Sequence, residues 1–108
     1  MSRYMIQATT TPQAAAAMLQ KPEDRTEAVR PVFEAFGGSL EHYYISLAEN
    51  TIFVIADIPD EATLGAITVA FFARAPWVSF RAMPILTASE SVEVFKRAAS
   101  VAYRPPGK

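Results

Sequence analysis

Between Gly37 and Pro59 the chain reads GGSLEHYYISLAENTIFVIADIP, and no other block constrains the fold as tightly. Two adjacent glycines stop a helix, because glycine enters the left-handed backbone region at no steric cost. Two runs rich in β-branched and aromatic residues follow, Leu40 to Leu47 and Thr51 to Ile58, parted only by Ala48, Glu49 and Asn50. That pattern predicts an antiparallel hairpin.

The segments around the hairpin supply the rest of a small α+β domain. Ser2 to Thr9 alternates Tyr4, Ile6 and Ala8 against Met5, Gln7 and Thr9, the period of a strand. Thr11-Pro12 opens an alanine-rich helix to Gln20, which Lys21-Pro22 ends. From about Pro22 to Phe36, Val29, Val32, Phe33 and Phe36 form one helical stripe, with a kink expected near Pro31. After the hairpin, Pro59-Asp60-Glu61 starts a helix whose inner face is Leu64, Ile67, Thr68 and Phe71. Trp77 to Ile85 alternates again and is the fourth strand, its end placed at an edge or bulge by Pro84. Thr87 and Glu90 have the spacing of a capping box, predicting a last helix to about Tyr103 with the stripe Val92, Phe95, Ala99 and Ala102.

This order is that of a ferredoxin-like split βαβ sheet (βαββαβ), antiparallel, with helices on one face and an additional C-terminal helix. One domain over 1–103 and a flexible tail over 104–108 account for all 108 residues. Alternation sends Tyr4, Ile6, Tyr43, Ile45, Leu47, Val54, Ala56, Val78 and Phe80 toward the helices. It leaves Met5, Gln7, His42, Tyr44, Ser46, Phe53, Ile55, Asp57, Ser79, Arg81 and Met83 on the open side. That side is too apolar for water, and with 51% apolar and 19% charged residues overall, a homodimer through sheet faces is expected.

Composition excludes several functions. Ten basic residues balance eleven acidic ones without a cationic cluster, so no nucleic-acid partner is expected. The greasiest stretch, Leu64 to Ala73, is half of the ~20 residues that a membrane span needs. The absence of cysteine and the lack of a signal-like apolar run point to the cytoplasm. With a single histidine there is no two-histidine or thiolate metal site, and no motif calls for a cofactor.

Pro22, Arg25, Gly37-Gly38, the aromatic strand around Tyr44 and Pro59-Asp60 together resemble the GYD domain family of the dimeric α+β barrel group. The family's Gly-x-Tyr-Asp turn is degenerate: Tyr44, Ser46, Leu47 and Glu49 match or nearly match, whereas its glycine, tyrosine and aspartate fall on Ala48, Asn50 and Thr51. No role of that tyrosine or aspartate carries over, and any positive φ in the turn is expected at Asn50. The resemblance implies the fold and the dimer. The wider group includes cofactor-free monooxygenases, heme enzymes and ligand-sensing domains, so it names no chemistry.

Two functions stay open. In one the protein is a homodimeric module whose barrel lumen holds a small ligand or is merely filled. In the other it is a small cofactor-independent oxygenase-like enzyme acting on an aromatic or quinone-like substrate. His42, the only residue of the type whose ordinary side-chain pKa lies near neutrality, would accept a proton, Tyr44 would stack on the substrate and Arg81 would bind an anionic oxygen. His42 also reads as an ordinary strand residue. Asp57 and Arg81 read either as an ion pair bridged over Gln7 or as part of a ligand-binding set with His42 and Tyr44. Trp77 reads either as a surface-to-core anchor at the entrance of its strand or as a subunit contact.

Overall fold

The paired glycines do what their position requires. In the computed structural model, which describes residues 1–74 and 77–107 but not the side chains of Trp77 and Val78, Gly37 adopts φ +79°. The Gly37 N–H donates to the Glu34 carbonyl at 3.0 Å and the Gly38 N–H to the Phe33 carbonyl at 2.9 Å. These two bonds close the helix end in a Schellman motif. Gly38 then lies so near the next strand that a Cβ there would stand 2.5 Å from the Asp57 carbonyl oxygen.

The element order is β1 (Ser2–Thr10), α1 (Pro12–Gln20), α2 (Thr26–Ala35), β2 (Ser39–Ser46), β3 (Thr51–Ile58), α3 (Glu61–Arg74), β4 (Trp77–Pro84) and α4 (Ala88–Ala99). The strands form one antiparallel sheet in the order β2-β3-β1-β4, the ferredoxin-like βαββαβ arrangement with an added C-terminal helix. Thr11 caps α1 by accepting from the Ala14 N–H, and Asp60 opens α3 by accepting from the Thr63 N–H at 2.8 Å. Helix α2 begins at Thr26 rather than Pro22, where the Asp24 carboxylate takes the Thr26 N–H at 2.9 Å, and it continues through the exposed Pro31 as one element.

The core lies on one side of the sheet. Tyr4, Ile6, Leu40, Ile52, Val54, Ala56 and Ile58 are buried there beneath Phe33 of α2 and Ile67 of α3. The Phe33 and Phe71 rings meet at 5.8 Å and join the two helices. Leu40 reaches this core through a bulge. Both Glu41 and His42 fall opposite Ile55, so the phase of β2 shifts by one residue between Leu40 and His42. Strict alternation would have put Leu40 on the same side as His42.

Other expectations are corrected. Leu47 belongs to the turn and is 77% exposed, so it does not face the helices. The turn spans Leu47 to Asn50, with Asn50 the one non-glycine residue at positive φ (51°) among those described. The left-handed position has thus moved off Ala48, as the side chain of asparagine allows. The Val78 and Trp77 side-chain assignments lie outside the described residues. Helix α4 ends at Ala99, and the stripe expected to pack has no buried residue. The molecule is long, 59 × 33 × 24 Å, with a radius of gyration of 17.5 Å. A compact chain of this length would have about 13 Å. Among the described residues, no helix is long and apolar enough to cross a membrane.

Two glycine substitutions separate close approach from mere conformational freedom. Gly38→Ala must push β3 away and is expected to cost about 1–3 kcal/mol. Gly65→Ala, inside α3 with nothing within 4 Å of the new methyl, is expected to gain about 0.5–1 kcal/mol from helix propensity. Urea unfolding of the two variants checks both signs.

Candidate functional site

β1 lies between β3 and β4, and its odd-numbered residues project away from the core helices. Register turns this alternation into rows across the open face. One row is Tyr44, Phe53, Gln7 and Arg81; the next is His42, Ile55, Met5 and Met83; a third is Ser39, Asp57 and Arg3. The four residues singled out from the sequence, His42, Tyr44, Asp57 and Arg81, do share this face, but the sheet does not gather them. With strands ~4.8 Å apart, Tyr44 on one edge and Arg81 on the other are separated by roughly 14 Å.

His42 and Tyr44 are the pair that touches. Two residues apart on β2, their rings stack with centroids at 5.8 Å and planes 19° apart, both exposed to solvent. Asp57 and Arg81 are not bridged over Gln7. The antiparallel register puts Arg81 opposite Gln7 and Asp57 opposite Arg3, two rows further along. Between these polar groups lie Met5, Phe53 and Ile55, each half-buried by its neighbours alone. The face is therefore a shallow apolar floor with an aromatic pair on one edge, a guanidinium on the other and a carboxylate at one end.

The sequence did not single out Arg3, which organises that end. Its Nε lies 3.4 Å from Glu41 Oε2 and its Nη1 3.4 Å from Glu90 Oε1. Glu90 also accepts the Thr87 N–H at 2.8 Å, while its own N–H donates to the Thr87 hydroxyl at 3.0 Å, completing the capping box of α4. Arg3 thus ties the bulge of β2 to the start of α4. The alternation that exposes Met5 and Gln7 also exposes Arg3, but its partners stand 38 and 87 positions away and only the register brings them together. A cleft of about 230 Å³ opens here between the start of β1 and the β4–α4 connection, with Arg3, Asp57 and Glu90 in its wall.

Among the described residues, the helix side of the sheet offers less room. Its cavity, beneath Phe33 and Phe71, measures about 30 Å³ and is lined by apolar side chains and the ring of Tyr43. A single water would fit by size but would find almost no polar partner. Burial raises the Tyr43 phenol above its ordinary value, against a smaller opposing pull from the Arg25 charge. Among the described residues, no three histidine, aspartate or glutamate side chains converge as a metal site.

The GYD domain family model matches residues 4–94. That span includes the sheet from Tyr4 onward, the His42–Tyr44 stack, Arg81 and the capping box of α4. No curated protein shows significant similarity to the chain.

The capping box gives a pH dependence of known sign. The Glu90 carboxyl is held below its ordinary value, first by the Thr87 backbone N–H and hydroxyl and then by the Arg3 charge. Its contribution to α4 is therefore complete above the ordinary carboxylate range and is lost as pH falls through the depressed value. Amide shifts of residues 88–91 are expected to report that loss. In Glu90→Gln, which keeps the box but carries no charge, they should not titrate.

Proposed function

The chain belongs to the GYD domain family, and we propose that it works as a homodimeric module whose sheet faces close on a lumen for a small ligand. The observation that carries this reading is the open face itself. Met5, Phe53 and Ile55 form its centre, Met83 extends it to the β4 edge, and the side chains that could bind specifically stand at its margins. A contiguous apolar surface of this kind is seldom left to water, and a two-fold axis covers it with a second copy of itself.

Such a lumen suits a flat, partly anionic molecule. The His42–Tyr44 stack and Phe53 offer aromatic surfaces, and Arg81 offers a planar cation for a carboxylate or phenolate oxygen. The absence of cysteine suits a cytoplasmic setting. An oxygenase-like reaction would need His42 within hydrogen-bond reach of the bound molecule. The aromatic stack and the guanidinium on the two edges of one apolar face support binding directly, and binding is the function proposed.

Native mass spectrometry of the purified protein tests the proposal, reading subunit number and any retained small molecule together. The expected species is a dimer, and a monomer at tens of micromolar would overturn the reading. Phe53→Asp, placing a charge at the centre of the face, is expected to yield monomers with cooperative unfolding intact. Arg81→Met is expected to keep the dimer and to weaken binding of an anionic aromatic probe such as salicylate at least about tenfold, the loss of one charge-assisted contact.

A further inference from the structure

Helix α4 is written into the sequence as a helix, yet among the described residues it buries none of its side chains. Thr87 and Glu90 cap its start, and Lys96 and Arg97 in the last turn complement its dipole. None of its residues is buried, and Val92 and Phe95 on its apolar stripe are 48% and 70% exposed. Twelve residues alone in water are a marginal helix, and most helical stability comes from packing an apolar face.

The chain's own core helices do not lie on the side where α4 begins. The Ile85 N–H donates to the Arg3 carbonyl at 3.0 Å, and Arg3 reaches across to Glu90. The start of α4 is thereby held beside the Arg3–Asp57 row, at the end of the open face. Helices α2 and α3 pack on the opposite side of the sheet.

We infer that α4 docks on a second copy of this chain, its Val92–Phe95 stripe closing over the rim of the partner's open sheet face. The inference rests on the sheet-face pairing proposed above, and two observations single out that occupant. The first is continuity: the stripe begins where the open face ends, so a copy seated on one surface meets the other. The second is area. Four strands of eight or nine residues outline a flat footprint of roughly 400 Å² per copy, three spacings of ~4.8 Å wide and about 27 Å deep. A standard stable pair buries about 800 Å² of accessible surface per partner. A helix of about 18 Å, laying its stripe on the partner and receiving the partner's in return, adds its own area to that of the sheet face.

The test uses the full chain, with Thr87, Glu90 and Arg3 unchanged. Val92→Glu/Phe95→Glu alters side chains that are exposed in the single chain, and Phe95→Met is the conservative control. Sedimentation equilibrium is expected to show the dimer Kd raised at least about 100-fold in the double variant and nearly unchanged in the control. Hydrogen exchange of α4 amides in the parent chain should slow as protein concentration passes through Kd. Because the chain has no cysteine, Phe95→Cys gives a single attachment point for a photoactivatable crosslinker. Products between copies, mapped to β2 or β4 of the partner, support the inference.

A double variant that dimerises as tightly as the parent overturns it while leaving sheet pairing intact. So does α4 protection that is independent of concentration, which would mean that the helix folds onto its own chain. Crosslinks confined to the partner's α3 would overturn the placement at the sheet rim. A parent chain that stays monomeric at every concentration removes the sheet pairing and this inference together.

Discussion

β1 is held from both sides, with Ile6 opposite Val54 and Ala82, and Gln7 opposite Phe53 and Arg81. Every property of the two sheet faces depends on that register. A slip of one residue would turn Tyr4, Ile6 and Ala8 away from Phe33 and drive Met5, Gln7 and the charged Arg3 into the core. Burying an unpaired guanidinium costs several kcal/mol, far more than a single strand pair returns. The same alternation that specifies the core therefore specifies the open face, which is set by exclusion from the core as much as by its own chemistry.

Two local devices keep the register from propagating wrongly through the hairpin. The Gly37-Gly38 stop delivers the chain into β2 so close to β3 that Gly38 has the Asp57 carbonyl against it. The bulge at Glu41 then resets the phase, so that Leu40 enters the core while His42 and Tyr44 remain on the open side. Without the extra residue, either Leu40 would be exposed or the aromatic pair would face the helices. At the far end, Asn50 takes the left-handed conformation that lets a four-residue turn rejoin the strands.

Much of this architecture was legible beforehand because it follows from period and punctuation. The strand alternation of β1 and β3, the glycine stop, the Thr87–Glu90 box and the shift of positive φ to Asn50 are local rules acting on adjacent residues. What escaped the sequence depends on distant pairing. The bulge leaves no mark in SLEHYYIS beyond a single misplaced leucine. The separation of Asp57 from Arg81 follows from which residue of β1 stands between them, Arg3 or Gln7, and alternation says only that all share a face. Likewise, the stripe of α4 is readable but its partner is not, since amphipathicity shows that a surface is covered without showing by what. The candidate site was thus legible as a set of residues on one face, not as a constellation.

The chain carries an apolar sheet face and an apolar helix stripe that its own core leaves uncovered, and the proposed pairing of two copies uses both. Isotope-filtered NOE spectroscopy on an equal mixture of labelled and unlabelled protein addresses this most directly, since only contacts between copies survive the filter. The account predicts intermolecular contacts from the Met5, Ile55 and Met83 methyl groups and the Phe53 ring, all on the open face. Contacts between copies confined to the outer surfaces of α2 and α3, or none at millimolar concentration, would contradict it.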